Sequence, residues 1–220
     1  MSVSRETAPA GGSFGPDDLV RILPFTADSR DRLMAYADLL VKWQARINLI
    51  GPATVGDLWR RHILDSAQLF SHLPGGPVLD LGSGAGFPGL VLAILKGPSP
   101  DPFVHLVESD GRKGAFLREA IRITGAPAVL HPQRIEVLPA FPVAAITARA
   151  LAPLSQLLAL SEKFLLPNVQ CLFLKGRSAD EELTGATKDW MMTVERIPSL
   201  ADPSGLILHL KGVHRGPDER

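Results

Sequence analysis

The stretch Asp80-Leu81-Gly82-Ser83-Gly84-Ala85-Gly86-Phe87-Pro88-Gly89 constrains this chain more than any other. Before it stands the short apolar run Pro77-Val78-Leu79-Asp80-Leu81, which reads as a strand, and after it a helix from about Pro88 to Leu95. A strand that turns tightly into a helix through Gly82, Gly84 and Gly86 allows positive backbone dihedrals and close approach of a ligand to the main chain. Pro88 suits the first helical turn, where a missing N–H leaves nothing unpaired. Such loops lie outside the carboxyl ends of strands, where open α/β sheets bind ligands.

Several ligands use glycine loops. A phosphate-loop NTPase needs a Lys after the glycines, and none follows here. Gly84-x-Gly86-x-x-Gly89 matches the dinucleotide pattern, yet Asp80 just before the loop would repel a pyrophosphate. A carboxylate there suits an ammonium and a sulfonium, so S-adenosylmethionine (SAM) is the expected ligand. Asp80 could instead brace the loop through its amides. Glu108, after the strand Phe103–Val107, is expected to accept the ribose hydroxyls; the alternative is a cap on the helix beginning near Gly111. After a third strand, Ala128–Leu130, Ile135 is expected to offer an amide and an apolar edge to adenine. Glu136 either takes the exocyclic amine or faces solvent.

The rest of the chain fits an alternating α/β pattern. Strands are expected at Ala144–Thr147, Gln170–Leu174, Thr193–Ile197 and Leu206–Leu210, with helices at Gly111–Ile123, Leu154–Phe164 and Glu181–Lys188 and a short one near Ile135. Alternation of this kind signals a mostly parallel sheet covered on both faces. The last two strands are separated by too few residues for a crossover helix and should form an antiparallel hairpin. Seven strands ending in a hairpin differ from the dinucleotide dehydrogenase fold. Upstream, apolar residues at helical spacing predict one helix within Phe25–Ile47 and another over about Thr54–Leu73, stopped by Pro74-Gly75-Gly76-Pro77. The expected organisation is a flexible N-terminus over 1–20, a helical extension over 21–76, a ligand-binding α/β domain over 77–213 and a tail over 214–220.

Lys plus Arg and Asp plus Glu both total 23 in 220 residues, and neither charge concentrates in one part of the chain. That balance disfavours non-specific nucleic-acid coating. The single cysteine, Cys171, forms no internal disulfide and no Cys-x-x-Cys pair, and the histidines lack ligand spacing, so no metal is expected. No apolar run approaches the length of a membrane span and the first twenty residues lack a signal-peptide core, so a cytoplasmic location is expected.

Taken together, Lys42-Trp43, Asn48-Leu49, Arg61-His62-Ile63-Leu64-Asp65-Ser66, the glycine loop, Arg134-Ile135-Glu136, Arg149-Ala150 and Lys175-Gly176 resemble one family, the bacterial 16S rRNA guanine-N7 methyltransferases also called glucose-inhibited division protein B. The resemblance implies a monomeric class I SAM methyltransferase, with a Rossmann-like seven-stranded sheet and an N-terminal helical extension. It implies methylation of one guanosine in the decoding-region stem-loop of 16S rRNA. Gly82, Phe87, Ile135 and Glu136 would contact the cofactor, and Arg149 would lie at the active-site rim. The chain departs from the family pattern at Gln44, Ile50 and Ala148. It also has Gly205 and Leu206 where an Arg-His pair is usual.

Arg149 is accordingly expected to touch the cofactor and to orient the target base, because arginine grips guanine O6 or phosphate bidentately. Arg60 and His62 are candidates for the RNA surface, while Arg61 and Asp65 have the spacing of a local ion pair. Arg112, Lys113, Arg118, Arg122 and Lys175 are candidates for a phosphate track. Trp43, Trp59, Trp190 and Cys171 are expected in the core. The absent charge excess suggests a substrate already shaped by ribosomal proteins, a 30S particle or assembly intermediate.

Overall fold

In the computed structural model residues 14–217 are described. Seven strands form one sheet in the order β3-β2-β1-β4-β5-β7-β6. They are β1 (Val78–Leu81), β2 (Val104–Val107), β3 (Ala128–His131), β4 (Ala145–Arg149), β5 (Gln170–Lys175), β6 (Trp190–Pro198) and β7 (Leu206–Arg215). The first five run parallel, and β7 enters antiparallel between β5 and β6. The expected hairpin is therefore present, and longer than its apolar core suggested. The expected tail at 214 begins inside β7, and residues 218–220 lie outside the described residues.

Side chains alternate across β1, and each face has its own core. Val78, Val104, Leu106, Ala145 and Leu172 pack with the helices α2 (Ala27–Gln44), α4 (Gly89–Lys96) and α5 (Gly111–Thr124). Leu79, Leu81, Ile146, Cys171 and Phe173 pack with α6 (Leu154–Ser161) and α7 (Ala179–Ala186). Burial of both faces explains why these strands read as continuous apolar runs. Cys171 is fully buried, and burial pushes its thiol up to about 12. Trp190 is buried, whereas Trp43 and Trp59 are partly buried against the first core.

The N-terminal part differs from expectation in two places. Helix α1 (Pro16–Ile22) occupies part of the span expected to be loose, and it is anchored by Leu19, which is fully buried; residues 1–13 lie outside the described residues. The stretch expected as one helix over Thr54–Leu73 is segmented. A 3-10 turn (Pro52–Asp57) leads into a π turn (Trp59–Leu64), then α3 (Asp65–Ala67) and a second 3-10 turn (Gln68–His72). Changes of winding of this kind re-aim side chains and are frequent at functional sites. Here the π turn carries Arg60, Arg61 and His62. Gln44, a departure from the family pattern, has a structural role: its amide donates to the Ile50 carbonyl and its oxygen accepts from the amides of Leu49 and Ile50.

Candidate active site

The glycine loop is built as its sequence demands. Gly82, Gly84 and Gly86 have φ of +63°, +57° and +97°. Gly89 has a different constraint: a Cβ there would come within 2.6 Å of the Asp80 side chain. Above Gly84 a Cβ would meet only the Gly82 carbonyl, at 3.8 Å, so this part of the loop is open to a ligand. From the extension, Tyr36 of α2 reaches across to donate to the carbonyl of Ala85.

Asp80 is fully buried beneath the loop. Thr147 of β4 donates to its Oδ1 at 2.7 Å. Burial pushes its carboxyl up to about 6, against the opposing pull of Thr147, Ser83 and the Gly89 amide. The bracing reading of Asp80 thus replaces direct contact with a ligand, because no surface of the residue is open. Glu108, at the end of β2, accepts from the Gly84 amide at 2.9 Å and from the Asp110 amide at 2.7 Å. It joins the glycine loop to the β2 loop, and its carboxylate has further lone pairs to accept a hydroxyl. The cap on α5 is Asp110, which accepts from Arg112 and Lys113. Ile135 and Glu136 open a 3-10 turn (Ile135–Val137) whose first amides have no partner within the turn. Lys163 fixes this turn by donating to both their carbonyls. The Ile135 side chain is buried and Glu136 is exposed.

Arg149 ends β4 at the border between the glycine loop and a cleft of about 480 Å³. It donates to the Arg61 carbonyl at 3.1 Å and to His62 Nδ1 at 2.7 Å, and pairs with Asp65 at 3.5 Å. Its guanidinium lies 4.9 Å over the Phe87 ring, which His62 also meets, at 5.1 Å. Burial lowers its pKa, opposed by Asp65 and Tyr36. The residue that follows, Ala150, takes φ of +51°, a sparsely populated conformation for a residue with a Cβ.

This geometry corrects several sequence expectations. Asp65 pairs with Arg149 across the fold, and the expected Arg61–Asp65 pair is not formed. His62 is buried at the edge of the cleft with both ring nitrogens bonded, to Arg149 and to Thr54, so it supports Arg149. Phe87 is buried too, and any cofactor contact at this position belongs to its backbone. Lys175 has an almost buried side chain that pairs with Glu182 at 2.7 Å and donates to the Ala152 carbonyl, which removes it from a phosphate track. Arg60 pairs with Asp57 and donates to the Ala201 carbonyl, tying the extension to the β6–β7 loop. Arg122 pairs with Glu119. Arg112 and Lys113 remain surface candidates and, with Arg46, line a second hollow of about 260 Å³. Sequence reasoning missed Tyr36, Asp65 and Thr147 as parts of the site. Asp65 lay within the Arg-His-Ile-Leu-Asp-Ser string that carries the resemblance, and that was the available signal.

A parallel sheet extended by an antiparallel β7, with a glycine loop at the end of β1 held by the Glu108 carboxylate, defines a class I SAM-dependent methyltransferase. The open face at Gly84 and the adjacent Glu108 carboxylate fit that cofactor. Solved structures share the fold. One is a TehB-like SAM-dependent methyltransferase from Corynebacterium glutamicum, with TM-score 0.51 and 15% identity, covering 84% of this chain and 98% of that one. Another is a variant of MtNAS in complex with S-adenosylmethionine, with TM-score 0.53 and 16% identity, covering 90% and 84%.

The chain belongs to the rRNA small subunit methyltransferase G family, whose sequence pattern matches residues 29–207. Relatives named ribosomal RNA small subunit methyltransferase G include one from Paramagnetospirillum magneticum, 53% identical over 92% of this chain and 98% of the relative. A second, from Rhodospirillum rubrum, is 54% identical over 91% and 98%. Among the described residues no helix is long and apolar enough to cross a membrane.

Proposed function

We propose that this protein methylates N7 of one guanosine in the decoding-region stem-loop of 16S rRNA, as a monomer acting on the 30S particle or an assembly intermediate. Bound S-adenosylmethionine supplies an electrophilic methyl group on a sulfonium. Glu108, the loop at Gly84 and the turn at Ile135 hold and orient that cofactor, and Arg149 holds the base. Family membership supports the rRNA substrate, and the setting of Arg149 supports the choice of atom.

Guanine N7 has an in-plane lone pair and no proton, so transfer requires alignment and exclusion of water without a general base. The residues around Arg149 suit that chemistry. Because arginine can only donate, His62 Nδ1 is an acceptor and the imidazole is neutral, with its Nε2–H directed at Thr54 Oγ1, 2.8 Å away. Burial, followed by the charges of Arg149 and Arg61, lowers the His62 pKa to about 3. Both ring nitrogens are therefore committed, and Asp65 is committed to Arg149. Three partners leave Arg149 with N–H groups to spare out of the five of a guanidinium. Those are suited to guanine O6, next to N7 on the same edge of the base. Cys171, buried as an un-ionised thiol in the core, is unsuited to the covalent attack that a cytosine-C5 enzyme needs.

The test is transfer of labelled methyl from SAM to unmethylated 30S particles, mapped by borohydride and aniline cleavage at N7-methylguanosine. One cleavage, in the decoding-region stem-loop, is the expected result. SAM binding without cleavage would leave the fold and cofactor reading intact and remove the substrate. Equal or better activity on naked 16S rRNA would remove the particle.

A further inference from the structure

The cleft beside Arg149 has a far wall, across from the glycine loop, that holds neither cofactor nor Arg149. Alignment of N7 with a methyl donor on the glycine loop turns the opposite edge of guanine, with its N1–H and N2 amine, away from β1. The sheet order places β4, β5 and β7 successively farther from β1. Three strand spacings amount to about 14 Å, room for a purine and a hydrogen bond at each end. The wall at that distance is the β6–β7 loop, whose Ser199, Ala201, Asp202 and Gly205 line the cleft.

Guanine N1–H and N2–H are donors and require an acceptor. Three carboxylates line the cleft: Asp65, Glu182 and Asp202. Asp65 is committed to Arg149, Gln68 and Ser199. Glu182 is committed to Lys175, Ser178 and the Leu154 amide. In Asp202 a single oxygen, Oδ1, takes both the amide and the hydroxyl of Ser204, each at 2.8 Å. Its Oδ2 has no hydrogen-bond partner among the described residues. The side chain is half-buried on a residue that lines the cleft, and with Oδ1 bonded to Ser204 its second carboxylate oxygen is left to accept. The Ser204 amide and hydroxyl, with Arg61 and Arg177 nearby, hold this carboxyl below the usual range, so it is ionised at neutral pH.

We infer that Asp202 is a specificity-determining residue that accepts hydrogen bonds from N1–H and the N2 amine of the target guanine, on the base edge that begins at the O6 held by Arg149. The inference rests on the guanine-N7 reading and deepens it. Adenine presents an acceptor at N1 and lacks the N2 amine, so the same carboxylate would repel it. A base held at O6, N1–H and the N2 amine is also held against rotation in its own plane, which keeps N7 on the line of transfer.

The test uses the full chain and 30S particles reconstituted with guanosine or inosine at the methylated position. Inosine retains N7, O6 and N1–H and lacks only the N2 amine. Wild-type protein is expected to methylate guanosine about tenfold faster than inosine in single turnovers. Asp202→Asn keeps an oxygen for the Ser204 bonds and places an amide donor against the base. It is expected to slow guanosine methylation by about 10- to 100-fold and to abolish the preference over inosine, with SAM affinity unchanged. Ser204→Ala serves as a control for loosening of the loop. Equal wild-type rates on the two particles would overturn the inference without any variant. So would an Asp202→Asn protein that keeps the wild-type rate and preference. Wild-type protein that binds SAM and leaves the guanosine particle unmethylated would remove the substrate reading itself, and this inference with it.

Discussion

Arg149 donates to Nδ1 of His62 across 2.7 Å, and this one contact fixes the protonation of the imidazole, the aim of the guanidinium and the junction between extension and sheet. The π turn carries His62 and β4 carries Arg149, so the two halves of the chain meet at this contact. In a neutral protein, charge at the site is organised locally. Asp65 balances Arg149, while the buried Asp80 carboxyl holds the loop from below.

The His62 geometry has a consequence for stability. Its pKa is about 3 in the folded protein and about 6.5 when unfolded. The folded state therefore binds fewer protons between those values, and the contribution is fully present above about pH 6.5 and is lost as pH falls toward 3. From pH 7 to pH 5 the expected loss is about 2 kcal/mol. Urea titrations of wild type and His62→Gln at both pH values check this, and the wild type should lose more of its stability on acidification. The comparison between proteins is needed because Asp80, pushed up to about 6, contributes in the opposite sense over the same range.

Tyr36 is fully buried and its hydroxyl donates to the Ala85 carbonyl inside the glycine loop. Tyr36→Phe leaves that carbonyl without its donor, and the expected cost is about 1–3 kcal/mol of folding stability. Cofactor affinity should fall a few fold, because Ala85 lies between two glycines in left-handed conformations. Thermal unfolding and calorimetric titration with S-adenosylhomocysteine measure the two effects. A stability change without any change in affinity would make Tyr36 purely a core residue.

Glu108 holds the Gly84 amide, so Glu108→Ala removes both a loop brace and the expected ribose acceptor. Cofactor affinity should drop about tenfold or more, the scale of one or two charge-assisted hydrogen bonds. Glu108→Gln keeps one carbonyl oxygen and should lose less. Calorimetric titration of both variants orders them, and equal affinities for all three proteins would contradict the role.

The sheet was legible because β1, β2, β4 and β5 are buried on both faces and their apolar runs end at glycine, proline or a charge. The hairpin was legible from the short β6–β7 connection. The segmentation of residues 52–72 was not, since a π turn depends on what its side chains must reach, and Arg149 lies 87 residues from His62 in the chain. Sequence spacing offered Asp65 to Arg61, four residues away, and the fold gave it to Arg149. Lys175 failed for the same reason: its partner Glu182 stands on the next helix, and no local pattern announces a buried pair. The roles of Gly82, Gly84 and Gly86 were legible because tolerance of positive φ belongs to glycine itself.

Under the proposed function, Arg149 holds guanine for transfer at N7. The most direct test is single-turnover methylation of unmethylated 30S particles by wild type and Arg149→Ala at saturating SAM, with the methylated atom mapped by cleavage. N7-methylguanosine is expected as the sole product, with SAM affinity within a few fold and transfer about tenfold or more slower in the variant. Wild-type transfer rates in Arg149→Ala, or methyl found on another atom, would contradict it.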